Sequence, residues 1–297
     1  MIPRQPLNGM RERTLCEFPP IPLSVCVYYE KKRKVMFITE PMPCRDQSRA
    51  VLGLLDVENN ALSSILTEWH QSTPVTSSAL CKQGLLSCGQ NHIVLVNFFN
   101  GKYEILVRTT KREADYRFMG VAVHPNESIN QIWFTRVDPI NLSTSKIYKL
   151  DRKVEEVART DTHKPVRIAF SPDGQRFYFA CSAKKALFVY EVKNGDLVNL
   201  ERLSYVPAEN LTSLKVDHLG YIFASCGSEL KCWDPYGNCN DVMQMESDIR
   251  DFTFTPTGII VMYQYSWVKI EQDPEALTIR KTAERRHSHL EGRFSRI

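Results

Sequence analysis

Residues 165–200 read PVRIAFSPDGQRFYFACSAKKALFVYEVKNGDLVNL, and this stretch decides the fold. It contains four short apolar runs separated by turn-forming residues. In the first turn, Ser171-Pro172-Asp173-Gly174, proline presets φ and glycine accepts a left-handed conformation. The last turn contains Asn194-Gly195, the strongest short hairpin signal. The stretch therefore predicts a four-stranded antiparallel meander, which must repeat or pack on another unit because it cannot bury both faces alone.

The same pattern recurs along the chain at a spacing of roughly 40 to 50 residues, which is the length of a β-propeller blade. The first strands of the successive units begin near Ser24, Pro74, Phe118, Pro165, Leu211 and Ile249. No segment keeps an uninterrupted 3.6-residue apolar period, so no long amphipathic helix competes with this interpretation. We predict an all-β chain that forms a six-bladed β-propeller of four-stranded antiparallel blades.

The ends of the chain differ in composition from the repeats. Residues 1–23 are rich in proline, arginine and polar residues, which is typical of an extended arm. Residues 24–282 hold the six repeats, and the sixth ends with a predicted strand LTIRK. Residues 283–297 are basic and lack apolar periodicity. We predict a flexible tail there, with a docking segment or nuclear signal as the alternative.

Composition limits the functional class. The hydrophobic fraction of 43% and charged fraction of 24% are typical of a globular protein, and the net charge of +4 is too small to indicate a nucleic-acid partner. The nine cysteines form no CxxC pair, so we predict reduced core thiols. Neither a signal-peptide core nor an apolar run of ~18 residues is present, so we expect no membrane association. We predict a cytoplasmic location, with the nucleus as the alternative.

The repeats resemble those of one known family. RIAFSPDGQRFYFACS with LFVYEVKNGDL, and SLKVDHLGYIFASCG with LKCWDPYGN, are similar to the blades of the senescence marker protein, gluconolactonase and luciferin-regenerating enzyme family, which includes regucalcin. The resemblance extends from Leu23 to about Asp273 and is most specific in the fourth and fifth blades. It implies a six-bladed propeller that holds one divalent cation, calcium or zinc, and hydrolyses sugar lactones.

The resemblance also implies where the metal ligands belong. In the family they are a Glu of an E-x-P-x-W motif, an Asn of R-x-N-D, an Asn of S-N-G-h and an Asp of P-D-G. Hard oxygen ligands are needed because the cation polarises the lactone carbonyl and acidifies a bound water. Aligned with this chain, the four positions hold Ser24, Met119, Val166 and Thr212. We therefore predict no tight metal site and no cofactor, and calcium or zinc only if displaced ligands replace the usual ones.

Three arginines are candidate binding residues because each stands near the start of an innermost strand. If Arg117, Arg167 and Arg250 converge on the channel mouth, their guanidinium groups form a pocket for a carboxylate or phosphate. The alternative is that they are solvated at the rim or paired with acidic neighbours, namely Asp115, Glu209 and Asp251.

Three functions remain open on these grounds. The first is a non-catalytic lactonase-like propeller that binds a protein or small anionic ligand at its channel mouth or rim, without nucleic acid or membrane. The second is a metal-dependent gluconolactonase-type hydrolase with displaced ligands. The third is a WD-repeat-like interaction scaffold, which the dipeptide Trp233-Asp234 favours although its Gly-His partner motif is missing.

Overall fold

The structure is a computed structural model of the chain. It describes residues 10–17, 23–29, 34–39, 42–44, 47–56, 61–70, 74–97, 100–109, 116–126, 131–138, 140, 145–151, 154–159, 165–206 and 211–272. All regular structure in these ranges is β-strand. They contain no helix that is long and apolar enough to cross a membrane.

Six antiparallel sheets follow one another along the chain. The first contains β2 (Leu23–Tyr29), β3 (Lys34–Thr39), the short β4 (Met42–Cys44), β5 (Gln47–Asp56) and β6 (Ala61–His70). The second contains β7 (Val75–Leu80), β8 (Gly84–Gly89), β9 (His92–Asn97) and β10 (Tyr103–Arg108). The third contains β11 (Arg117–Val123), β12 (Ile132–Val137), β13 (Lys146–Leu150) and β14 (Val154–Arg159).

The second half of the ring has the same order. The fourth sheet contains β15 (Pro165–Phe170), β16 (Arg176–Cys181), β17 (Ala186–Lys193) and β18 (Asp196–Tyr205). The fifth contains β19 (Leu211–Val216), β20 (Ile222–Cys226), β21 (Glu229–Trp233) and β22 (Cys239–Gln244). The sixth contains β23 (Asp251–Thr255), β24 (Gly258–Met262), β25 (Ser266–Gln272) and β1 (Met10–Glu17).

The innermost strands β2, β7, β11, β15, β19 and β23 each contact the next, and β23 returns to β2. This closed order confirms the predicted six-bladed β-propeller. The predicted turns also have the required backbone, since Asn194 and Gly195 both have positive φ, 55° and 84°, and connect β17 to β18.

The N-terminal segment differs from the predicted arm. Residues 10–17, within the range 1–23, form β1 and pair antiparallel with β25, from Met10 opposite Gln272 to Glu17 opposite Ser266. The sixth blade therefore takes its fourth strand from the start of the chain. The predicted strand LTIRK and the predicted tail 283–297 lie outside the described residues.

The core lies between the blades. Apolar clusters join neighbouring sheets, and the fully buried tryptophans Trp69, Trp133, Trp233 and Trp267 each belong to one of them. Trp133 of the third blade, for example, contacts the rings of Phe170 and Phe177 of the fourth. Five described cysteines are buried in these layers, namely Cys26, Cys88, Cys181, Cys226 and Cys232. Blade-to-blade burial therefore stabilises the ring and fixes the positions of the inner strands.

Candidate functional site: a charged cavity on the propeller axis

The candidate site is a cavity of about 260 Å³ enclosed by the inner strands of all six blades. Its lining is apolar on β2 and β11, mixed polar and apolar on β7, β15 and β19, and polar on β23. The polar lining residues are Thr76, Ser77, Ser78, Arg167, Thr212, Ser213, Lys215, Asp251 and Thr253. Two cationic side chains thus share the lining with one carboxylate.

Arg167 bridges three blades through its guanidinium group. Its Nε donates to the carbonyl oxygen of Thr212 on β19 at 2.5 Å, and its Nη1 donates to those of Met119 on β11 at 3.1 Å and Val166 at 2.7 Å. Burial lowers the pKa of Arg167 from its usual value, while the charge of Asp251 acts in the opposite direction. An arginine stays protonated even so, so a positive charge is fixed on the axis.

Lys215 on β19 and Asp251 on β23 connect the fifth and sixth blades to the first. The Lys215 ammonium lies 3.1 Å from Asp251 Oδ1 and donates to the carbonyl of Cys26 on β2 at 2.8 Å. Asp251 Oδ2 accepts the backbone N–H of Cys26 at 2.7 Å, and Oδ1 accepts that of Phe252 at 2.8 Å. Burial, and then the nearby Asp251 charge, raise the pKa of the Cys26 thiol well above its usual value.

A β-bulge marks the same place on five inner strands. The pairing register shifts between Leu23 and Val25, Val75 and Ser77, Phe118 and Val121, Pro165 and Arg167, and Leu211 and Ser213. The bulges therefore include Ser24, Thr76, Met119, Val166 and Thr212. Four of these are the positions at which the family resemblance predicts metal ligands, so the alignment of those positions agrees with a shared backbone feature.

The residues at the bulges do not fit a divalent cation. Val166 is buried and Met119 packs against the same apolar cluster between the fourth and fifth blades. The Thr212 hydroxyl donates to the carbonyl of Ile249 at 2.7 Å and also contacts Ser225 Oγ at 2.7 Å. Within the described ranges, no group of three or more His, Cys, Asp and Glu side chains lies close enough to hold a metal. A calcium or zinc ion would also face the Arg167 charge.

The three predicted arginines do not meet. Arg167 lines the cavity, whereas Arg117 and Arg250 do not. Arg117 is exposed at the start of β11, and Arg250 precedes β23 with its backbone N–H paired to Met262. Arg167 directly follows the bulge residue Val166, whereas Arg117 lies two positions before the bulge residue Met119. Arg250 precedes β23, which pairs with β24 without a register shift. Of the proposed acidic partners, Asp251 pairs with Lys215, and Asp115 and Glu209 lie outside the described residues.

Sequence reasoning did not single out Lys215 or the inward-facing role of Asp251. A signal was present, because residues of an inner strand alternate between the channel and the blade interior. In LTSLKV the alternation places Ser213 and Lys215 on one face, and both line the cavity. A charged residue inside an innermost strand therefore indicates a channel position.

Comparison with known protein families identifies the ring. Residues 26–257 match the model of the SMP-30/gluconolactonase/LRE-like region. The chain belongs to this family. The match covers most of the six blades and replaces the WD-repeat alternative, since it is the lactonase-like repeat that the chain follows. No curated protein matches the sequence significantly.

Solved structures of the same architecture agree with this family. A gluconolactonase from Xanthomonas campestris superposes with a TM-score of 0.71 at 17% identity, over 90% of this chain and 91% of that one. Regucalcin from Agrobacterium tumefaciens, described as calcium-binding, gives 0.67 at 13% identity, over 89% and 96%. A luciferin-regenerating enzyme gives 0.66 at 10% identity, over 89% and 95%. Identities this low show a common fold.

Proposed function

We propose that this chain is a non-catalytic lactonase-like propeller whose axial cavity binds a small anionic ligand. The observation that carries the proposal is the charge balance of the lining. Asp251 pairs with Lys215, whereas the partners of Arg167 within the described residues are main-chain carbonyls. The cavity therefore keeps one positive charge that pairs with no carboxylate among the described residues, and a small anion complements it.

Two further groups support an anionic ligand with hydroxyl groups. The bonds of Arg167 to described residues use Nε and Nη1, which leaves the two N–H groups of Nη2 to donate to a ligand. Ser78 lines the cavity, and its buried Oγ has no hydrogen-bond partner among the described residues. The volume of about 260 Å³ lies at the small end of ligand pockets, so the ligand is a small carboxylate or phosphate.

The lining lacks a free general base. Where the structure describes the lining, it contains no histidine, cysteine or glutamate, and its one carboxylate there, Asp251, accepts hydrogen bonds from Cys26, Phe252 and Lys215. Hydrolysis of a lactone needs a group that takes a proton from water, or a metal that acidifies it. Because Asp251 already accepts three hydrogen bonds, it is poorly suited to act as a general base or as a metal ligand. This favours ligand binding without hydrolysis.

The second candidate is a metal-dependent gluconolactonase-type hydrolase whose ligands are displaced from the four bulge positions. Family membership and the likeness to a gluconolactonase favour it. The sequence also left open a protein partner at the channel mouth or rim. We favour the small ligand because the charged side chains of Arg167, Lys215 and Asp251 line the cavity.

Calorimetric titration of the wild-type protein tests the proposal. The probes are inorganic phosphate, gluconate and glucitol, the last being an uncharged polyol of similar size to gluconate. We expect saturable binding of at least one anion and none of glucitol, with no hydrolysis of gluconolactone. Arg117→Gln, which removes an exposed arginine outside the cavity, should bind as the wild type does. Equal affinity for glucitol, no binding of either anion, or metal-dependent turnover would overturn the proposal.

A further inference from the structure

Three main-chain carbonyls from three successive blades surround the guanidinium group of Arg167, which lines the cavity. They belong to Met119 on β11, Val166 on β15 and Thr212 on β19, and all three accept hydrogen bonds from the guanidinium of Arg167. The three strands are neighbours in the ring, so one side chain connects the inner strands of the third, fourth and fifth blades.

The bulges explain why these carbonyls need such a partner. Met119, Val166 and Thr212 each lie at the register shift of their strand, where the ladder of interstrand hydrogen bonds is interrupted. A buried carbonyl that loses its ladder partner is costly unless another donor reaches it. Arg167 supplies three such bonds from two nitrogens of one planar group, whereas a lysine carries its three donors on a single tetrahedral nitrogen.

The surroundings of Arg167 are those of a cation site. Its hydrogen-bond partners among the described residues are main-chain carbonyls, and Asp251, the carboxylate of the described lining, pairs with Lys215. Carbonyl oxygens that converge on a point stabilise positive charge in a buried place, as in cation sites generally. The guanidinium of Arg167 reaches the three carbonyls from β15, so the bound cation is a side chain of the protein itself.

We propose that the carbonyls of Met119, Val166 and Thr212 form a cation site that Arg167 fills from within the chain. The internal guanidinium ties three inner strands together and supplies the axial positive charge without an external metal. This inference is independent of the proposed ligand, because it uses Nε and Nη1 and concerns the unliganded ring.

The first test is chemical rescue of Arg167→Ala, which leaves the three carbonyls in place and removes their donor. We expect its Tm to fall by roughly 5–10 °C relative to the wild type. Guanidinium chloride at low millimolar concentration should then raise the Tm of the variant in a saturable way, by about 3 °C at ten times the dissociation constant. The same salt should not raise the Tm of the wild type, whose site is filled.

Two matched controls separate a cation site from lost packing. Sodium chloride at equal ionic strength should not rescue Arg167→Ala, and Arg117→Ala, at an exposed position of the neighbouring blade, should show neither the loss nor the rescue. Equal rescue by sodium chloride, or a destabilised variant that guanidinium leaves unchanged, would overturn the proposal.

A second pair of variants keeps the proposal testable if Arg167→Ala fails to fold. Arg167→Lys keeps the charge and part of the hydrogen bonding, whereas Arg167→Met keeps only the length and the apolar stem. We expect the Tm order wild type, then Arg167→Lys, then Arg167→Met, including the case in which only the lysine variant folds. A methionine variant as stable as the lysine variant would show that the charge has no role there.

Discussion

At the residue scale, the centre of the ring depends on an ion pair between the fifth and sixth blades. The Lys215 and Asp251 side chains are 21% and 5% exposed, so water screens the pair only partly. Both also bond to the backbone of Cys26 on the first blade. Removing one member leaves the other charged and buried, which costs more than the pair itself contributes.

We therefore predict that Lys215→Met lowers the free energy of unfolding by about 3 kcal/mol. Asp251→Asn in the Lys215→Met background should restore part of this loss, since the buried charge is gone. Urea denaturation of both single variants and of the double variant gives the coupling free energy between Lys215 and Asp251. The exposed Lys193–Glu191 pair is the control and should give a much smaller coupling. Additive single effects at Lys215 and Asp251 would contradict the prediction.

The buried thiol of Cys88 predicts a pH dependence. Burial, the largest effect, raises its pKa in the folded state from 9.0 to about 12. The folded state therefore keeps a proton that the unfolded state releases, so this thiol stabilises the fold below pH 9.0 and loses that contribution as the pH rises to about 12.

The measurement is the free energy of unfolding against pH for the wild type and Cys88→Ala. Above pH 9.0 we expect the wild-type stability to fall more steeply than that of the variant, by up to about 1.4 kcal/mol per pH unit for one thiol. Lysine and tyrosine titrations are common to both proteins and cancel in the difference. Parallel curves would show that Cys88 ionises equally in the folded and unfolded states.

The candidate site was only partly predictable at the residue scale. The sequence pattern identified Arg167 as a candidate, and the motif alignment identified the positions that lack metal ligands. It did not predict that Arg117 and Arg250 lie outside the cavity, because the position of the bulge in β11 and its absence from the β23–β24 pairing have no clear sequence signature. Lys215 was missed although the alternation in LTSLKV already places it on one face with Ser213, and both line the cavity.

At the element scale, close strand pairing in the second blade requires a glycine. Gly84 opens β8, and a Cβ there would lie 2.0 Å from the carbonyl oxygen of Val96 on β9. Because the nearest atoms belong to the backbone of Val96, β8 and β9 must move apart to make room for a side chain at Gly84. Gly195 differs, because a Cβ there meets nothing nearer than 4.0 Å and the only cost is its φ of +84°.

We predict that Gly84→Ala lowers the free energy of unfolding by about 3 kcal/mol. Gly195→Ala should cost about 1 kcal/mol, which is the penalty of a left-handed backbone for alanine. Urea denaturation of both variants checks the order. If Gly195→Ala were the more damaging variant, backbone strain in the hairpin would outweigh the steric clash.

At the scale of the whole molecule, the ring is closed by pairing its two ends. β1 completes the sixth blade by lying against β25, which the N-terminal composition did not predict. The six blades themselves were predictable, because Pro, Asn and Gly turns and short apolar runs recur at a regular spacing. An outer strand is held mainly by main-chain hydrogen bonds, which need no particular side chains. The sequence MRERTLCE of β1 therefore shows no alternation of apolar and polar residues that would predict a strand.

Deletion of residues 1–17 should therefore destabilise the propeller far more than its length suggests. We expect the Tm to fall by about 10 °C and the protein to aggregate more readily, since β25 becomes an exposed edge. Deletion of residues 1–9, which leaves β1 intact, is the control and should change the Tm by less than about 2 °C. Equal Tm values for the two truncated proteins would contradict closure by β1.

This propeller keeps the family's ring, and we propose that Arg167 supplies the positive charge on its axis in place of a bound metal. The most direct test is calorimetric titration of chelator-treated wild-type protein with Ca²⁺, Zn²⁺ and Mn²⁺, followed by a gluconolactone hydrolysis assay with each ion. We predict no cation bound more tightly than about 1 mM and no turnover above the uncatalysed rate. One ion bound per chain at micromolar affinity, together with metal-dependent hydrolysis, would contradict the account.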